Sequence, residues 1–266
     1  MTSAWVRALV AVARRDLQVL ASYRSTFYSR PAGMIFTLAL FYYVSRLVTV
    51  ERFATSDAYF AFVAVGLVIY GLIRSTLDVP QAVRDELMGG TYERLELSAA
   101  GATAGVVGML ITPFLYALFL AVTTLTAAAL LFGLDVQWST AWLGLPVGLL
   151  SALAFAPFAL VFCAVTIAYK QSPGQGAVLP TLSLVSGLYF PVELLPGWLE
   201  WLSEVQPLTP AVDLMRHVIL GFPLEGSAGL EVLRLIGFAV IGIPIAVYAV
   251  SRARRFSRAR GTVLES

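Results

Sequence analysis

The stretch Trp142 to Tyr169, WLGLPVGLLSALAFAPFALVFCAVTIAY, contains no charged residue and no histidine. As a helix rising 1.5 Å per residue it exceeds the roughly 30 Å hydrocarbon core of a bilayer, with length left for tilt. It has no polar face to turn toward water. The rest of the chain agrees. Hydrophobic residues make up 59% of the 266 and charged residues 13%, against about 25% charged in a soluble domain, and the mean hydropathy is +0.82. A water-soluble globule is excluded, because so apolar a chain must turn much of its exterior toward lipid. The single cysteine, Cys163, excludes a disulfide framework and any multi-cysteine metal site.

Working outward from that run, five more apolar windows are bounded by charge or turn residues. The six predicted spans are 32–50, 59–73, 104–132, 142–169, 177–190 and 233–250. Positive charge orients them. With the N-terminus cytoplasmic, 14 Lys and Arg fall inside and four outside, the latter being Arg46, Arg52, Arg216 and Arg234. Both termini are then cytoplasmic, which the even number of spans requires. Residues 1–30 lack the compact apolar core of a secretory signal and carry arginines throughout. Residues 4–22 read as an interfacial helix, with Val6, Val10, Ala13, Leu17 and Leu20 at helical spacing. Such a helix serves as a membrane anchor, as a contact for a cytoplasmic partner, or as both. Residues 251–266 form a basic cytoplasmic tail.

Two segments break the pattern of a plain bundle. Between the second and third spans lies RSTLDVPQAVRDELMGGTYERLELSAAG, rich in both signs of charge. Pro80 suits a first helical turn, Gly89 and Gly90 a stop, and Thr91 a fresh N-cap. It reads either as a solvated loop of balanced charge or as short helices that dock a soluble partner. On the external side, residues 186–221 read SGLYFPVELLPGWLEWLSEVQPLTPAVDLMRHVILG. Pro191, Pro196, Pro207 and Pro210 prevent a straight span, while Leu194, Leu195, Trp198, Leu199, Trp201 and Leu202 supply apolar pieces too short to cross. The pattern is that of a re-entrant or interfacial helical hairpin.

Catalytic chemistry has no foothold. His217 is the only histidine, so HExxH is impossible, and no GxxxxGK[ST] occurs. Glu200 and Glu204 share a helix face but have no nucleophile or metal-binding set beside them. Cys163 lies in an apolar span and reads as packing. Without a phosphate-binding loop, energy must come from another chain or from an ion gradient, and gradient coupling would call for acidic residues at mid-membrane depth. The six predicted spans contain none, which favours ATP coupling through a partner.

Three motifs in register carry a family resemblance. GTYERLEL (Gly90 to Leu97) is similar to Gly-Thr-x-Glu-Arg-Leu, SGLYFPVELLPGWL (Ser186 to Leu199) to Ser-Gly-x-x-Phe-Pro-x-x-x-x-Pro, and QPLTPAVDLMR (Gln206 to Arg216) to Asn-Pro-Leu-Thr-x-x-x-Asp-x-x-Arg. Over nearly its whole length the chain resembles the membrane subunits of ABC-2 type (type V) ABC exporters. Tyr92, where an aliphatic is usual, and Gln206, where Asn is common, are departures.

The resemblance implies an all-α integral membrane protein with six transmembrane helices, a cytoplasmic coupling helix within 78–97 and an external gate hairpin at 191–221, forming one domain over 1–266. It implies contact with the ATPase through Arg84, Asp85, Glu86, Thr91, Glu93 and Arg94. The outer gate would be built around Phe190, Pro191, Glu193, Pro196 and Trp198, and the pathway lined by Tyr59, Tyr70, Leu182 and Tyr189. The expected partners are two cytoplasmic ABC ATPase subunits, a second copy of this chain and membrane lipid, in the plasma membrane of a prokaryote, with no role for nucleic acid. No cofactor or metal is expected on this chain; ATP and Mg belong to the ATPase partner, and the chain itself is no enzyme. The substrate class is an amphipathic or hydrophobic drug, antibiotic or lipid-like molecule, the alternative being a lipid-linked polysaccharide or glycolipid. An intramembrane lipid-modifying enzyme and a passive binding factor stand as alternatives of other classes.

Overall fold

The computed structural model describes residues 2–47, 53, 55–92, 101–170, 175–224 and 226–259. Regular structure among them is helical throughout: α1 (Thr2–Ser22), α2 (Arg24–Leu47), α3 (Ser56–Leu77), α4 (Val79–Met88), α5 (Gly101–Gly108), α6 (Ile111–Phe132), α7 (Trp138–Ala141), α8 (Gly144–Tyr169), α9 (Gln175–Val185), a 3-10 turn at Val192–Leu194, α10 (Gly197–Glu204), α11 (Leu208–Leu220) and α12 (Ala228–Ala259). Among the described residues four helical stretches are long and apolar enough to cross a membrane: Ser56–Met88, Thr103–Phe132, Gly144–Tyr169 and Ala228–Ser257. Gly176–Val185 is apolar but shorter.

The helix boundaries differ from the expected ones in several places. The window 104–132 is broken by a turn at Met109 and Leu110, because Pro113 has no N–H to offer the Met109 carbonyl. The fifth window, expected over 177–190, is helical only to Val185. Beyond Ser186, Gly187 takes φ +75°, a left-handed conformation that glycine adopts without a Cβ penalty. The last window extends in both directions, so the first part of the basic tail is the continuing helix α12.

The centre of the bundle is α3, where 83% of the apolar window is buried; in α12 only 17% is. Around α3 pack α2, α6, α8 and α11. A second cluster joins Val12 of α1, Val79 and Val83 of α4, and Tyr92 to Leu160, Ile167 and Val250 of α8 and α12. Phe36, Leu130, Leu131, Val240 and Ile241 remain exposed, as lipid-facing residues must. Between lipid and protein there is no hydrophobic gain to drive helix pairing, so close backbone approach takes over. The most extensive pair, α8 with α12, meets where Gly242 lies against the Pro157 ring. A Cβ there would come within 2.6 Å of it.

Candidate functional site

Two polar constructions interrupt the apolar bundle, one just beyond the C-terminal end of α3 and one against its N-terminal half. The first is the junction of α1 with α4. Val12 of α1 seats on Gly108, and the Thr112 hydroxyl donates to the Ala13 carbonyl at 3.2 Å. Val6, Val10 and Leu17, the expected apolar stripe, stay exposed. The helix thus turns one face to the bundle and leaves another exposed. Beside Val12, the Arg15 guanidinium bridges Asp16 and Glu86, each at 2.8 Å. The Thr91 hydroxyl donates to the same Glu86 carboxylate, while the Thr91 N–H binds the Glu86 carbonyl at 3.1 Å.

Burial raises the Asp16 carboxyl above its ordinary range; the hydrogen bond and charge of Arg15 oppose that rise, and the charge of Glu86 adds to it. Arg84 and Asp85 stay exposed on the outer face of α4, with Asp85 accepting from Gln81 at 2.9 Å. Tyr92, the departure from the family pattern, is buried in the second core cluster. Glu93 and Arg94 lie outside the described residues.

The second construction is built on the break after α9. A helix interrupted near hydrocarbon leaves carbonyls without their i+4 partners, and each needs a substitute donor. Arg216 supplies one. Its Nη2 donates to the Leu188 carbonyl at 2.9 Å and its Nε to the Phe62 carbonyl at 3.0 Å, while the guanidinium lies 3.3 Å over the Phe62 ring. Asp213 is 3.6 Å from Nη1. Gln206 supplies another, donating to the Leu182 carbonyl at 3.3 Å. The two polar ends of QPLTPAVDLMR therefore each hold a carbonyl of the segment before the hairpin.

α3 approaches this point so closely that a Cβ on Gly66 would stand 2.8 Å from the Leu188 carbonyl oxygen. Arg216 is only 3% exposed, so it is a buried clamp and not the external loop charge that counting treated it as. The sequence signal was an arginine three residues after Asp213 in a largely apolar helical stretch.

Of the expected gate residues, Pro191 is buried, Phe190 is half-buried, and Glu193, Pro196 and Trp198 are exposed. Tyr59, Tyr70, Leu182 and Tyr189 are all partly exposed at the rim of the main core. The structure brings Tyr70 and Ser183 beside Tyr189, which stacks on Phe41 at 5.8 Å. Tyr59 packs instead against Phe53 at 5.5 Å, about 16 Å along α3 from Tyr70 at helical rise.

A helical membrane protein with a charged joint beyond one end of its central helix and a carbonyl-clamped break packed against the other half is a permease-like scaffold. The sequence profile of the family described as ABC-2 type transporter matches residues 7–220, and the chain belongs to that family. It is also similar to Nodulation protein J of Rhizobium meliloti (strain 1021), 33% identical over 106 residues, 40% of each chain. Nodulation protein J of Sinorhizobium fredii (strain NBRC 101917 / NGR234) is 31% identical over 117 residues, 44% of each. That of Rhizobium leguminosarum bv. trifolii is 34% identical over 89 residues, 33% of this chain and 34% of the relative. The matched part thus spans about two fifths of the length of the first of these relatives. As a member of that family the chain is a membrane transport component.

Proposed function

We propose that this chain is the membrane half of an ATP-driven exporter. Two copies dimerise in a prokaryotic plasma membrane, both termini cytoplasmic, and each receives one ATPase subunit that binds ATP and Mg. Six spans, including α2 and the short α9, surround a cleft for an amphipathic or hydrophobic substrate. Tyr59, Tyr70, Leu182 and Tyr189 line it, and the hairpin 191–221, with Phe190 at its root, closes it from outside.

The observation that carries this reading is the joint made by Arg15, Glu86 and Thr91. α3 passes through Asp78 directly into α4, and α4 is tied to α1 by the Arg15–Glu86 pair. A push on the exposed Arg84 and Asp85 face is delivered to the central helix, because a packed helix moves as a unit and not by continuous deformation.

The test is to extract the tagged chain in mild detergent, identify what accompanies it, and assay ATP hydrolysis. A stoichiometric Walker-containing partner with vanadate-sensitive activity is expected. Glu93→Arg and Arg94→Glu should each abolish ATP-driven transport while leaving membrane insertion intact. Full transport by both variants, or a folded chain that recovers no ATPase under several detergents, would overturn the reading.

A further inference from the structure

α12 carries Arg252, Arg254, Arg255 and Arg258, and from Val232 to Leu264 the sequence contains no Asp or Glu. Arg254 turns inward and donates to the Thr103 hydroxyl at 2.6 Å. Arg252 and Arg255 stay exposed at the rim of a groove of about 640 Å³ between the ends of α8 and α12. Along one face of α12 the order is Ile245, Tyr248, Arg252, Arg255, at spacings that keep them in line. Tyr169 of α8 forms the opposite wall, its ring 6.1 Å from that of Phe256. Ile245 and Tyr248 are 61% and 66% exposed.

Apolar, then aromatic, then cationic is the order that a phospholipid presents from acyl chain through glycerol to phosphate. From Ile245 to Arg255 is about 15 Å of helix, half the thickness of a hydrocarbon core. Among the described residues no carboxylate lines the groove, so its described walls offer the two guanidinium groups no counter-charge.

We infer that the groove between the cytoplasmic ends of α8 and α12 is a binding site for one anionic phospholipid, its phosphate held by Arg252 and Arg255 and its glycerol region against Tyr169 and Tyr248. Arginine suits this role because its fork engages phosphate oxygens in pairs. The inference rests on the membrane placement of α12 and does not depend on transport.

The experiment is native mass spectrometry of the full chain in mild detergent, titrated with dioleoyl phosphatidylglycerol or dioleoyl phosphatidylcholine. The unmodified chain should retain the anionic lipid about ten-fold more strongly than the neutral one. R252Q/R255Q should reduce that preference to less than about two-fold, R252K/R255K should keep part of it, and each single Gln variant should lose an intermediate share. R14Q, which removes one charge from α1, should leave the preference unchanged. Equal retention of both lipids by the unmodified chain would overturn the inference. So would a full preference in R252Q/R255Q, or an equal loss in R14Q, which would make the effect diffuse charge. If the double variant is not recovered folded, full preference in both single variants would overturn it in the same way.

Discussion

Arginine does different work beyond the C-terminal end of α3 and against its N-terminal half. At the α1–α4 joint, Arg15 is 45% exposed and faces two carboxylates. Water and salt screen such a pair, and its contribution is about 0.2–1 kcal/mol. At the α9 break, Arg216 is buried and its main partners are backbone carbonyls. There water cannot replace the lost donor, so the same residue type becomes structurally indispensable. A weakly held joint can shift when pushed, whereas a buried clamp defines a fixed point. The contrast places compliance at the charged end of the central helix and rigidity where the break packs against its other half.

The largest effect should come from Arg216→Met. It leaves the Leu188 carbonyl without its donor and removes the cation over Phe62, costing about 3 kcal/mol. A large drop in thermal midpoint is expected, with Arg216→Lys retaining part of the stability; a midpoint within a degree or two of the unmodified chain would erase the contrast. Next is Gly66→Ala, whose Cβ would meet the Leu188 oxygen at 2.8 Å. Forcing that backbone apart should cost about 1–3 kcal/mol, read from the same melt.

The smallest effect concerns Asp16. Its folded-state carboxyl is raised, so the folded protein holds that proton more tightly than the unfolded chain does. The associated stability is present below the unfolded carboxylate range and is lost as pH rises through the folded value. Between about pH 4 and pH 7 the unmodified chain should lose slightly more thermal stability than Asp16→Asn, which has no proton to release. Identical slopes for the two would show that the joint is not electrostatically tuned.

Much of this was legible in the sequence. Uncharged runs such as 142–169, and glycine–proline punctuation such as Gly89–Gly90 and Pro191–Pro196, are local signals, and they announced apolar helices, the α4 stop and the interrupted segment. Pairings between distant elements left no such trace. Val12 rather than Val10 docks α1, because both faces of the helix carry apolar residues and periodicity alone cannot assign which one the bundle takes. Gly66 looks like any helical glycine until Leu188 is placed beside it, and the place of Tyr92, which stands where an aliphatic is usual, is explained only when it is seen among Val12, Val83 and Ile167.

Composition and charge placement were enough to fix the solvent. An apolar chain with arginines at its ends must live in a bilayer as helices, since only helices satisfy their own backbone there without closing a barrel. Tertiary structure alone decided which arginine is buried, which carbonyl it holds and which helix sits at the centre. Those outcomes depend on contacts between residues far apart in the chain, such as Phe62, Leu188 and Arg216, and hydrophobic periodicity carries no record of them.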